Sequence, residues 1–163
     1  MKKRIIATIL MVAMVISVFA VPAFAVAKAT DGKKTAAGKR IVQNVPKVSC
    51  PSSQSLKYIR LVYSKSKVSF ISKQSSAIAT MDAYKKAKRF HTGTKKIPIG
   101  AVVFGSGVGN AGSKYGHIGI YVGGGKIADV LHNKKAKWQT LSQWASWQTA
   151  KCRGHKGYIG WGW

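Results

Sequence analysis

His117 and Asp129 stand twelve positions apart, on either side of the run Gly123-Gly124-Gly125. A tight turn at those glycines would fold the two flanking stretches into a hairpin and set both side chains on one face. A carboxylate beside an imidazole holds the ring in one tautomer and stabilises its protonated form. That is the base half of an acyl-transfer site, which also needs a nucleophile within hydrogen-bond reach. Other chemistries fit the residues less well. The chain has no glutamate, and its acids are Asp31, Asp82 and Asp129 alone. Paired-carboxylate hydrolysis or a carboxylate-rich calcium or magnesium site would consume nearly all of them. Cys152 and His155, with His132 and His117, include ligand types but lack paired Cys-x-x-Cys spacing, so no metal site is expected. No phosphate loop or dinucleotide fingerprint is present, and no cofactor is expected.

The elements that must position these residues read as helices first and strands after. Leu56, Ile59, Val62 and Tyr63 recur at helical spacing behind Pro51, Ser52 and Ser53, which suit a helix entry. A second helix is expected from Ser76 to about Lys88. Ile97-Pro98-Ile99-Gly100 reads as a turn into a strand from Ala101 to Phe104, followed by a glycine-rich loop from Gly105 to Gly116. His117 to Val122 and Lys126 to Leu131 form the hairpin. Gln139 to Ala150 reads as a short helix, and Tyr158 to Trp161 as the strand that closes the sheet. This order is an α+β layout, with N-terminal helices packed on a small antiparallel sheet.

The ends of the chain carry different signals. Lys2, Lys3 and Arg4 precede an apolar run from Ile5 to Val21, then Pro22 and Ala23-Phe24-Ala25. That pattern predicts a cleaved bacterial signal peptide over 1–25, and so an exported protein. Residues 26–47, rich in Lys, Ala, Gly and Thr with little apolar rhythm, read as a flexible basic arm. The compact domain is expected over 48–163. Cys50 and Cys152 are the only cysteines, and in an oxidising exterior they would form a disulfide closing about 100 residues.

Several stretches resemble the NlpC-type and CHAP-type peptidoglycan hydrolases, papain-like peptidases and amidases that cut wall peptides. Gly116-His117-Ile118-Gly119-Ile120-Tyr121-Val122-Gly123-Gly124-Gly125-Lys126 is similar to their histidine hairpin. Ile97-Pro98-Ile99-Gly100-Ala101-Val102-Val103-Phe104 resembles the P-x-G-A-x-V-F strand before it. Ser55-Leu56-Lys57-Tyr58-Ile59-Arg60 resembles the C-L-x-F-V-R helix that bears the nucleophile, and Gly157-Tyr158-Ile159-Gly160-Trp161 a Y-L-G-W terminal strand. The resemblance implies a papain-like domain, hydrolysis of wall peptide or amide bonds, His117 as base and Asp129 as third polar residue. At the nucleophile position it implies cysteine, where this chain has Ser55. A helix N-terminus stabilises an anion by about 0.3–1 kcal/mol, enough to assist a thiol but not to ionise a hydroxyl. Ser55 would therefore depend on His117 as general base during the reaction itself.

Charge frames the partner. The 163 residues carry 28 Lys and Arg against 3 acids, and loss of the leader takes the net charge from +25 to +22. Arginine occurs only at positions 4, 40, 60, 89 and 153, so the positive charge is mostly lysine. Lysine attracts polyanions without the bidentate readout that sequence-reading proteins draw from arginine, and no specific nucleic acid is expected. The partners this implies are peptidoglycan, an anionic wall polymer or an anionic membrane surface, met by a monomer. All five tryptophans fall after position 137; Trp161 reads as core, Trp138 and Trp163 as aromatic contacts for substrate. Three readings follow: a wall hydrolase using Ser55, His117 and Asp129; the same fold without turnover, binding wall polymer; and a cationic, membrane-active antibacterial protein.

Overall fold

The computed structural model describes residues 26–51, 54–71, 73–107, 114–130, 135–151 and 157–163. The stretch 1–25, where a signal peptide is expected, lies outside them. Among the described residues the chain is α+β, as the sequence pattern predicts, with four α-helices and one six-stranded antiparallel sheet. The helices are α1 (Ala36–Asn44), α2 (Ser55–Lys65), α3 (Ala77–Lys86) and α4 (Leu141–Lys151). The strands are β1 (Phe90–His91), β2 (Val102–Gly105), β3 (His117–Gly123), β4 (Lys126–Asp129), β5 (Lys137–Thr140) and β6 (Gly160–Gly162), in sheet order β1-β6-β2-β3-β4-β5.

Strand alternation explains why the sheet has two cores. Val102, Phe104, Ile118, Ile120, Val122 and Ala128 face α1, α2 and α3, and they join Ile41, Val45, Tyr58, Ile59 and Val62 in one buried cluster. Val103, Tyr121 and Ile127 point the other way, into a cluster with Ala29, Ile97, Leu141, Trp144 and Trp161. Both faces are therefore covered, and β3 is buried along nearly its whole length. Trp161 lies in the core, as expected.

Residues 26–47 are not a flexible arm. Thr35 caps α1 by accepting from the Gly38 N–H at 3.0 Å, and Ile41 and Val45 are fully buried. Gly38 also lets two backbones touch: a Cβ there would lie 2.0 Å from the Ile99 carbonyl oxygen. Ahead of the helix, Thr30 and Gly32 exchange main-chain hydrogen bonds with Thr94 and Ile97. Asp31 then accepts from the Tyr121 hydroxyl at 2.6 Å and from the Gly124 N–H at 2.8 Å, clamping the N-terminal stretch to the β3–β4 turn. The packed unit thus begins well before residue 48. The sequence misleads here because few apolar side chains, Ile41 and Val42 in the helix and Val45 just after it, suffice to dock this segment.

Two strands also escape the sequence pattern. β1 is only two residues long, and β5 occupies the positions where the reading placed the start of the last helix. That helix begins at Leu141 instead, with Thr140 accepting from the Gln143 N–H through its hydroxyl at 3.1 Å.

Candidate active site

The hairpin sets the base. Gly124 and Gly125 hold positive φ angles of 60° and 73°, which glycine adopts without strain, and they turn β3 back into β4. The register pairs Ile120 with Ala128 and Tyr121 with Ile127, so His117 and Asp129 fall on one face of the sheet. Between them sits Gly119. A Cβ at that position would lie 2.6 Å from Ile127 Cγ2, so glycine keeps the space clear.

His117 Nε2 lies 3.1 Å from Asp129 Oδ2, and the two residues are 7% and 1% exposed. The same carboxylate oxygen receives two further donors, the indole N–H of Trp144 and the Gln139 side-chain amide at 3.4 Å. Three N–H groups converging on one buried oxygen compensate the desolvation of the charge. Asp129 Oδ1 has no hydrogen-bond partner among the described residues. The imidazole is further held by α4: its ring centroid lies 5.4 Å from that of Trp144 and 6.4 Å from that of Trp147.

This arrangement assigns the ring's two nitrogens. An ionised carboxylate only accepts, so Nε2 carries the proton that it donates to Asp129. Nδ1 then keeps its lone pair, and no described group bonds it. The imidazole can accept a proton at Nδ1 while Asp129 stabilises the cation from the opposite side of the ring. The expected pairing of His117 with Asp129 is thus present in the structure.

Ser55 is the first residue of α2, half-buried, behind Gln54, whose side chain makes no capping bond. Helix α2 packs on β3, the strand that His117 opens. One turn along, burial raises the Tyr58 phenol well above its ordinary value of 10.0, and the Asp129 charge raises it further. No hydrogen bond joins Ser55 to His117 among the described residues.

The remaining expected residues fall in different settings. Cys50 is a free thiol, 3% exposed, with its sulfur 3.8 Å from the Gln54 carbonyl oxygen. Its expected partner Cys152 lies outside the described residues, as do His132 and His155. Trp138 is 46% exposed on β5. Trp163 is half-buried against both hydrophobic clusters, and its carbonyl oxygen accepts from Arg89 Nε at 2.6 Å. Among the described residues no group of three or more His, Cys, Asp or Glu side chains comes together to hold a metal ion.

The sequence reading missed Gln139 and Trp144 as donors to Asp129. The i, i+3 spacing of Trp144 and Trp147 does mark a shared helix face, but nothing local says that this face covers the histidine. A scan against protein-family models and a search of the curated proteins found no match to this chain.

Proposed function

We propose that this chain is an exported, cationic hydrolase of the bacterial cell wall, of the NlpC/CHAP-like papain type, which cuts peptide or amide bonds of peptidoglycan. The observation that carries this reading is the buried His117–Asp129 bond made through Nε2, which leaves Nδ1 as the base. In the proposed reaction Ser55 Oγ attacks the carbonyl carbon while its proton passes to His117 Nδ1. The imidazolium, held by Asp129, returns that proton to the departing amine, leaving an ester on Ser55. Water attacks the ester with the same nitrogen as base, releasing the acid and restoring the hydroxyl.

A second reading is a catalytically silent module that binds wall polymer. It is favoured by the serine at the expected thiol position and by the absence of a hydrogen bond from Ser55 to His117 among the described residues. Ser55→Cys separates the two. A thiol at a helix start beside an imidazole is far easier to activate than a hydroxyl. On the hydrolase reading Ser55→Cys cuts peptidoglycan faster than the native chain, and Ser55→Ala does not cut it. If native, Ser55→Cys and Ser55→Ala proteins all leave peptidoglycan intact while still sedimenting with it, the binding-module reading replaces the hydrolase.

A further inference from the structure

Strand β5 is an edge of the sheet and borders the His117–Asp129 pair directly. Asp129 pairs in register with Lys137, and Gln139, two residues on, donates to the Asp129 carboxylate. The opposite face of the same strand carries Trp138, paired with Ala128, and Thr140, paired with Lys126. Trp138 and Lys126 thus share one face at a diagonal offset within reach of long side chains. Lys126, Lys135 and Lys137 are all exposed, and Trp138 is one of only three large hydrophobic residues exposed among those described.

The acids are placed so as not to oppose this strip. Asp129 is buried and bonded, and Asp31 is engaged by Tyr121 and Gly124. Asp82, paired with Lys85, sits on α3, which packs against β1, β2 and β3 rather than β5. An edge with an indole on its outer strand and ammonium groups on β4, on β5 and just before β5 matches a chain of sugar rings bearing regular negative charge. The indole covers a ring face and the lysines meet the anions.

We propose that the β4–β5 edge, through Trp138 and Lys137 of β5, Lys135 just before it and Lys126 of β4, is the docking strip for an anionic sugar polymer, laid beside the His117–Asp129 pair. The proposal rests on the wall-directed reading and adds where the polymer lies. Its test measures binding of the full mature chain to three probes: polygalacturonate, which has rings and charge; inorganic polyphosphate, which has charge alone; and neutral dextran.

Trp138→Ala is expected to weaken polygalacturonate binding about threefold to tenfold while polyphosphate binding stays within about twofold. Lys126→Gln with Lys137→Gln is expected to weaken both anionic polymers and flatten their salt dependence. Dextran is expected to bind weakest. The control is Lys86→Gln with Lys88→Asn, which removes the same charge from the end of α3, where both lysines are exposed. If that control weakens binding as much as the Lys126 and Lys137 pair does, or if Trp138→Ala changes nothing, the strip is overturned in favour of diffuse charge attraction. Binding is read without turnover, so the two readings fail separately. A protein that binds in this way but cuts no wall bond overturns the hydrolase alone; one that cuts walls but ignores these substitutions overturns the strip alone.

Discussion

Replacing Asp129 tests the architecture of the base. Its Oδ2 accepts from His117, Trp144 and Gln139 in a site where the aspartate is 1% exposed. Asp129→Ala leaves all three donors without that acceptor, and two of them, His117 and Trp144, without ready access to water. An unmet buried donor costs about 1–3 kcal/mol, and the Gln139 bond, the longest, contributes least. Two full penalties give roughly 2–6 kcal/mol, and removing the desolvated carboxylate returns part of that. A net loss of about 2–4 kcal/mol is expected, a large share of the roughly 5–15 kcal/mol that holds a small domain. Asp129→Asn keeps the shape and one accepting oxygen, so its cost is about 1 kcal/mol. It does remove the charge that stabilises the imidazolium, so on the proposed hydrolase reading wall hydrolysis should fall at least about a hundredfold in both variants. Urea denaturation reads the first quantity and product release from peptidoglycan the second. Nitrogen NMR on labelled histidine adds a check, because the native ring should carry its proton on Nε2 alone and Asp129→Asn should mix the two tautomers. An Asp129→Ala protein as stable as the native one would refute the buried acceptor, and full turnover in Asp129→Asn would refute its role in the reaction.

Two further expectations concern the fold around the site. Ile41→Ala, in the segment whose sequence reads as a flexible arm, removes a fully buried side chain and should destabilise by about 2–5 kcal/mol in urea; a change below about 0.5 kcal/mol would return that segment to the status of an arm. Burial raises the phenols of Tyr58, Tyr63, Tyr84, Tyr121 and Tyr158 above the ordinary 10.0, Tyr84 to about 12. A raised value in the folded state means that stability is complete below pH 10 and is lost as pH rises through the folded values. The loss amounts to as much as about 1.4 kcal/mol per pH unit for each tyrosine still protonated in the fold. Ultraviolet titration should find these five phenols protonated at about pH 10.5, where a free phenol is mostly ionised. Phenolate absorbance from all of them at that pH, with the fold intact, would contradict the packing.

What the sequence revealed and what it hid divide along physical lines. The β3–β4 hairpin was legible because three consecutive glycines punctuate two β-branched runs, and its geometry placed His117 beside Asp129 without further information. Helices α2 and α3 were legible from apolar spacing and, for α3, from Ser76, whose hydroxyl accepts from the Ala79 N–H at 3.1 Å. Helix α1 was hidden because its docking depends on the Gly38–Gly100 backbone approach, which no composition signal marks. Strand β5 was hidden because an edge strand, with most of its four residues exposed, shows no alternation. The donors Trp144 and Gln139 were hidden for a different reason: their roles arise only when α4 folds across the hairpin and β5 pairs with β4, tertiary events with no local spacing.

Mass spectrometry of muropeptides, after peptidoglycan is incubated with the chain from Val26 onward, decides whether Ser55, His117 and Asp129 cut wall bonds. Hydrolysis by these three residues would give new peptide or amide ends that vanish in Ser55→Ala and His117→Ala proteins of unchanged stability, and that increase with Ser55→Cys. New ends that persist in His117→Ala, or intact peptidoglycan with the native and Ser55→Cys proteins alike, would contradict it.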